Sequence, residues 1–170
     1  PTVVGIVSSF ADVELDGFVS DSDPVVDYQV SFSEPIPGMG GQDISVAGGS
    51  LVPGSVDVAE GGMSATFKVT ATDGSMDALS VTVLGTVTDI HGNLLAQPET
   101  ATSAPEVVDT VNPTVVGIVS SFADVELDGF VSDSDPVVDY QVSFSEPISG
   151  MGGQDISVAG GSLVPGSVDV

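Results

Sequence analysis

The sequence predicts an all-β protein built as an antiparallel β-sandwich, and three observations predict it. Apolar and polar residues alternate with period two in segment after segment. Glycine and proline (21 and 11) interrupt every window long enough for a helix. Finally, residues 113–170 repeat residues 1–58 with one change, Pro37 to Ser149, so the chain restarts after a period of 112 residues.

Taken in order, strands are expected near 2–7, 25–33, 43–47, 50–58, 64–72, 78–84 and 101–108. Val26, Tyr28, Val30 and Phe32 should share one face, with Asp27, Gln29, Ser31 and Ser33 opposite. Ala65, Phe67, Val69 and Ala71 alternate in the same way with Ser64, Thr66, Lys68 and Thr70, and Leu79, Val81 and Val83 with Ser80 and Thr82. Their connections are an acidic loop (8–24), a Glu-Pro and Gly-rich loop (34–42), a Gly48-Gly49 turn, Glu60-Gly61-Gly62, residues 73–77 and a long loop from 85 to about 100. About seven short strands in roughly a hundred residues is the pattern of an immunoglobulin-like sandwich, here without the Cys…Trp…Cys core of antibody domains.

Residues 1–112 are read as one complete unit that includes a linker at 109–112, and 113–170 as the N-terminal half of a near-identical second unit. A unit of this length can bury its own core, unlike short solenoid repeats. The half-unit would hold four strands without their last three partners. It is expected to be ordered only when another chain or further residues complete it, and it invites strand swapping between identical copies. If strands alternate in direction, loops 8–24, 48–49 and 73–77 gather at one end with the joint. Loops 34–42, 60–62 and 85–100 then gather at the other.

Composition excludes several classes of function. Against 25 Asp and Glu stands one basic residue, Lys68, for a net charge of −24, which repels nucleic acid and anionic lipid. Such a chain repels itself as well, so salt or bound cations should stabilise its folded state. With 41% hydrophobic residues the composition is nevertheless that of a folding chain. The absence of Cys rules out disulfides, thiol catalysis and Cys-ligated zinc. No apolar run approaches the ~20 residues of a membrane span.

The most pointed chemical motif is Asp12-Val13-Glu14-Leu15-Asp16-Gly17-Phe18-Val19-Ser20-Asp21-Ser22-Asp23. Set against an EF-hand loop, acids fall at positions 1, 3, 5 and 12, Gly17 at the bend and Val19 at position 8; Phe18 would offer its carbonyl. Calcium wants six to eight oxygens, and Asp12, Glu14, Asp16, Asp21 and Asp23 could curl around one ion. Asp124, Glu126, Asp128 and Asp135 repeat the set. The departures are Glu14 at position 3, Asp23 where Glu is usual, and no flanking helices. The plainer alternative is a solvated acidic hairpin.

A second candidate lies at the joint, where Asp109 and Asn112 would approach Asp73 and Asp77, with Glu146 and Asp155 of the next unit. The choice there is between a shared cation and a polar linker stiffened only by Pro113. A nucleophile–base–acid set would have to use the lone His91, a Ser and Asp89, and nothing builds an oxyanion hole around them. With no Trp and two Tyr, both on expected core faces, a sugar-stacking platform is missing too.

Phe32-Ser33-Glu34-Pro35-Ile36, then Gln42 through Leu51, Val87-Thr88-Asp89-Ile90-His91-Gly92-Asn93 and Asp109-Thr110-Val111-Asn112-Pro113 together resemble a known family. They are similar to the bacterial Ig-like extender repeats of giant RTX-type and biofilm-associated adhesins, a group that includes ice-binding adhesins of marine bacteria. The resemblance covers the whole unit. It implies a non-enzymatic extracellular spacer at the bacterial cell surface that projects terminal adhesive domains, with neighbouring repeats as partners and calcium stiffening the array. Two other readings stand beside it: a ligand- or carbohydrate-binding adhesion module, and an acidic halophilic surface-layer domain without discrete metal sites.

Overall fold

The computed structural model describes residues 1–9, 18–96, 105–120, 131 and 136–170. These residues are all-β: short strands, 3-10 turns that include Gly41–Asp43 and Gly153–Asp155, and no α-helix. The chain divides into two compact units, Pro1–Val111 and Asn112–Val170.

In the first unit, nine strands are present among the described residues: β1 (Val3–Ser8), β2 (Phe18–Ser20), β3 (Val25–Phe32), β4 (Ile44–Ala47), β5 (Gly49–Leu51), β6 (Asp57–Val58), β7 (Ser64–Ala71), β8 (Ser80–Val83) and β9 (Val107–Asp109). The main sheet runs β1-β3-β7-β5, with β6 also paired to β7. β4 pairs antiparallel with β8. β2 pairs parallel with β9, Ser20 opposite Asp109. Leu79 and Glu106 exchange backbone hydrogen bonds of 3.1 and 2.9 Å, joining the β8 side to the β9 side. The arrangement is consistent with a β-sandwich.

The alternation expected along β3, β7 and β8 is what the structure contains. Val26, Tyr28, Val30 and Phe32 are buried, as are Ala65, Phe67, Val69, Ala71, Leu79, Val81 and Val83, and they form one cluster with Val19 and Val108. Tyr28 and Phe67 are cross-strand partners and stack with centroids 5.7 Å apart. Each such side chain contributes about 1.5–3 kcal/mol by leaving water.

Two features differ from the seven-strand expectation. β2 falls inside the segment expected to be acidic loop; Phe18–Ser20 pairs with β9 and sends Val19 into the core. The expected strand 50–58 is two strands. Pro53 and Gly54, the latter at φ 73°, carry the chain through a turn closed by Ser55 N–H donating to the Val52 carbonyl (3.2 Å). Opposite this excursion the Lys68 N–H donates to Ser55 Oγ (3.0 Å), so a side chain stands in for the missing ladder partner.

The second unit contains β10 (Val115–Ser120), β11 (Tyr140–Phe144) and a 3-10 turn at Gly153–Asp155. β10 and β11 pair in the register of β1 and β3, including the same irregularity, between Val3 and Gly5 in one and Val115 and Gly117 in the other. Of the four strands expected in 113–170, the described residues contain these two. Residues 156–170 have the sequence of 44–58 yet form no strand, because the segments that pair with β4–β6 occur once, in the first unit.

Candidate cation-binding end

The first unit has two distinct ends. At one, Thr72 N–H donates to the Gly48 carbonyl (3.0 Å), Ala71 N–H to Pro24 O (2.9 Å) and Gly74 N–H to Thr110 O (3.1 Å). The 20–24 turn, the Gly48–Gly49 turn, the 72–77 loop and the end of β9 therefore meet there, as alternating strand directions predict. At the other end Ile36 N–H donates to Gly62 O (3.0 Å), Leu84 N–H to Asp43 O (2.8 Å) and Ala96 N–H to Pro1 O (3.0 Å).

Of the candidate calcium ligands, Asp12, Glu14, Asp16, Asp124, Glu126, Asp128 and Asp135 lie outside the described residues. Phe18 opens β2 with its side chain half exposed. Asp21 and Asp23 are exposed in the turn that follows, where Asp23 N–H donates to Ser20 O (3.1 Å). Ser20 is also the strand partner of Asp109, so Asp21, Asp23 and Asp109 belong to the same end. Asp73 and Asp77 are exposed on the 72–77 loop of that end, and the Asp77 N–H is held by Ser75 Oγ (3.0 Å). Asn112 is exposed and begins the second unit. These acids share an end of the unit, but among the described residues no three His, Cys, Asp or Glu side chains are grouped so as to hold a metal ion.

What organises this end is Thr110. Its hydroxyl accepts from the Ser75 N–H (2.9 Å) and donates to the Thr72 carbonyl (2.7 Å), with the Ser75 carbonyl a second acceptor at 3.1 Å. Its backbone N–H donates to Ser75 O (3.1 Å), and its carbonyl takes the Gly74 N–H. The residue is 1% exposed. Sequence reading passed over it, although the signal was there: Val108 and Thr110 extend the inward alternation of β9, with Val107 and Asp109 outward. The joint is thus not a free polar linker up to Thr110, because β9 and Thr110 anchor it to the unit that precedes it.

Two buried acids staple the opposite end. Asp43 Oδ2 accepts from Gly40 N–H and Gln42 Nε2 (both 2.9 Å), and Oδ1 from the Thr86 hydroxyl (2.6 Å), tying loop 38–43 to the segment after β8. Asp89 Oδ1 accepts the backbone N–H groups of His91 (2.8 Å) and Asn93 (2.9 Å), and Oδ2 the Asn93 amide (2.7 Å). The Asn93 side-chain amide, with help from those two backbone donors and against the opposing effect of burial, holds the Asp89 carboxyl down to about 2. Asp89 engages the backbone of His91 in closing a tight turn.

Comparison of the chain with protein-family models, with curated proteins and with solved structures finds no match. Fold and site therefore define the class only as far as an all-β repeat unit with an acidic, hydrogen-bonded joint.

Proposed function

We propose that this chain is a non-enzymatic spacer: an extender repeat of a large secreted bacterial cell-surface adhesin, projecting terminal adhesive domains for attachment or biofilm formation. In this reading each complete unit is an immunoglobulin-like sandwich, and calcium bound at the acidic loops and joint stiffens the array. The observation that carries it is the repetition itself. Fifty-eight residues return with a single change, core and surface alike. A surface selected to recognise one ligand gains little from being copied unaltered in series, whereas a spacer gains length with every copy.

The anchoring of the joint supports the same reading. A linker whose last β-strand and Thr110 are hydrogen-bonded to the preceding unit has little freedom to bend before Asn112. Calcium would reduce the repulsion among Asp21, Asp23, Asp73, Asp77 and Asp109, which share that end in a chain of net charge −24.

The test is calorimetry and small-angle scattering of the chain with calcium, with EDTA, and with potassium at matched ionic strength. Calcium at low concentration should raise Tm and lengthen the particle in a saturable way, and EDTA should reverse both. If potassium does the same at equal ionic strength, the sites are not discrete and the acids act as a solvation shell. If neither cation changes anything, the calcium part of the reading is wrong.

A further inference from the structure

We propose that the Lys68–Val69 bond is a cryptic cleavage site for proteases that cut after Lys or Arg, withheld until the first unit unfolds as a whole. Such enzymes hold the basic side chain of the substrate against a carboxylate at the base of a pocket. Lys68 is the only Lys or Arg in the 170 residues. Residues 112–170 contain none, so the second unit offers these enzymes no bond, folded or unfolded. Nor does the local sequence protect the site. From Ser64 to Thr72 the neighbours of Lys68 are Ser, Ala, Thr, Phe and Val, with no acid and no proline. Unfolded, the segment is an ordinary substrate, so protection has to come from the fold.

The fold places this bond in the middle of β7, which lies inside the main sheet with β3 on one edge and β5 and β6 on the other. The Lys68 carbonyl, one half of the scissile peptide, accepts the Val52 N–H (2.9 Å), and the Lys68 N–H donates to Ser55 Oγ (3.0 Å). Val69, which supplies the other half, pairs with Val26 on β3 and with Leu51 on β5. The ammonium that a protease pocket must take is engaged by the Asp27 carboxylate. That ion pair is half exposed and gives way easily; the backbone does not.

A protease binds its substrate as an extended strand whose main chain bonds to the cleft. To reach that state β7 must leave both neighbours at once and draw Phe67 (1% exposed) and Val69 (0%) out of the core. Fraying from an end does not suffice, because Ala65, Phe67, Val69 and Ala71 all belong to the one buried cluster. The opening that exposes Lys68–Val69 is therefore unfolding of the whole unit. Cleavage then follows the population of the unfolded form. That population is on the order of 10⁻³ to 10⁻⁶ for folded domains, so the folded chain should be cut at least ~10³-fold more slowly than the unfolded one.

The probe is trypsin acting on the full chain in a series of sub-denaturing urea concentrations, with fragments 1–68 and 69–170 followed by mass spectrometry. Rates are corrected for the activity of trypsin on a small peptide at each concentration. The logarithm of the rate should rise with urea at the slope of global unfolding. Gly38→Lys adds a basic residue to an exposed loop of the same unit, where a Cβ meets no atom within 4 Å. In that variant the cut after residue 38 should come well before the cut after Lys68. Prompt release of fragment 1–68 in plain buffer, or a rate indifferent to urea, would mean that local opening suffices and overturns the proposal. So does survival of the Gly38→Lys chain for as long as the native one, which would place the resistance elsewhere than in the position of Lys68. Should Gly38→Lys fail to fold, the urea series on the native chain decides the matter alone. Neither outcome bears on the spacer reading, whose test is calcium.

Discussion

The Thr110 hydroxyl donates to the Thr72 carbonyl across 2.7 Å while accepting the Ser75 N–H at 2.9 Å, so one buried side chain satisfies both sides of the loop against which the joint rests. Buried polar groups cost most when left unpaired, and here a single methyl-for-hydroxyl exchange would orphan two. Thr110→Val keeps the shape and should destabilise the first unit by about 1–3 kcal/mol, seen as a fall of several degrees in Tm. Thr110→Ser should recover most of the loss. Equal stability of the Val variant and the native chain would show that the clamp contributes nothing.

The repeat supplies its own control for Asp43. Asp155 makes the same local bonds, accepting from Gly152 N–H (2.9 Å) and Gln154 Nε2 (2.8 Å), but only Asp43 also receives the Thr86 hydroxyl. Asp43→Ala should therefore cost on the order of 3 kcal/mol, because several donors lose a charged acceptor in a buried place. Asp155→Ala, exposed, should stay within about 0.5 kcal/mol. Denaturant titration of the two variants checks this, and equal effects would mean that the bond to Thr86 is not what matters.

Gly49 and Gly161 form a second matched pair. A Cβ at Gly49 would run into the Thr70 carbonyl and lie 2.7 Å from Leu79 Cδ1, whereas at Gly161 the nearest atom is Val158 Cγ1 at 3.7 Å. Gly49→Ala should cost about 1–3 kcal/mol by overpacking, while Gly161→Ala should leave the thermal transition in place. Thermal denaturation followed by circular dichroism separates them.

Asp89 predicts a pH dependence of definite sign. Its folded value of about 2 lies below the ordinary 3.8, so the ionised form favours the folded chain. That contribution is complete above about pH 4 and is lost as the pH falls toward about 2. The stability gap between the native chain and Asp89→Asn should be widest at neutral pH and should close across this window. A gap that stayed constant from pH 7 to pH 2 would contradict the hydrogen-bonded turn.

Much of the unit was legible in the sequence because strand burial has a period of two and the chain advertises it. The inward sets on β3, β7 and β8 and the gathering of the loops at two ends follow from that alternation and from simple reversal of direction. β2 was not legible: three residues inside an acidic run carry too little pattern, and what makes them a strand is β9, nearly ninety positions away. The division of 50–58 turns on Pro53-Gly54, a turn-forming pair inside the single strand expected there. At the candidate site the acids were visible by type, but the residue that ties the joint down is an uncharged Thr, which only its place in the β9 alternation could have marked.

The two copies separate what the sequence determines from what the tertiary structure decides. The β1–β3 pair and the β10–β11 pair share a register and an irregularity, and Gly41–Asp43 and Gly153–Asp155 form the same 3-10 turn. Local bonds between near neighbours and a self-sufficient antiparallel pair suffice for these features. Residues 44–58 and 156–170 are identical, yet the first set forms β4, β5 and β6 and the second forms no strand. Those strands are short, and their backbone bonds and apolar sides are satisfied only by β7 and β8. Without those partners, ordering the backbone costs about 1–2 kcal/mol per residue with nothing to offset it.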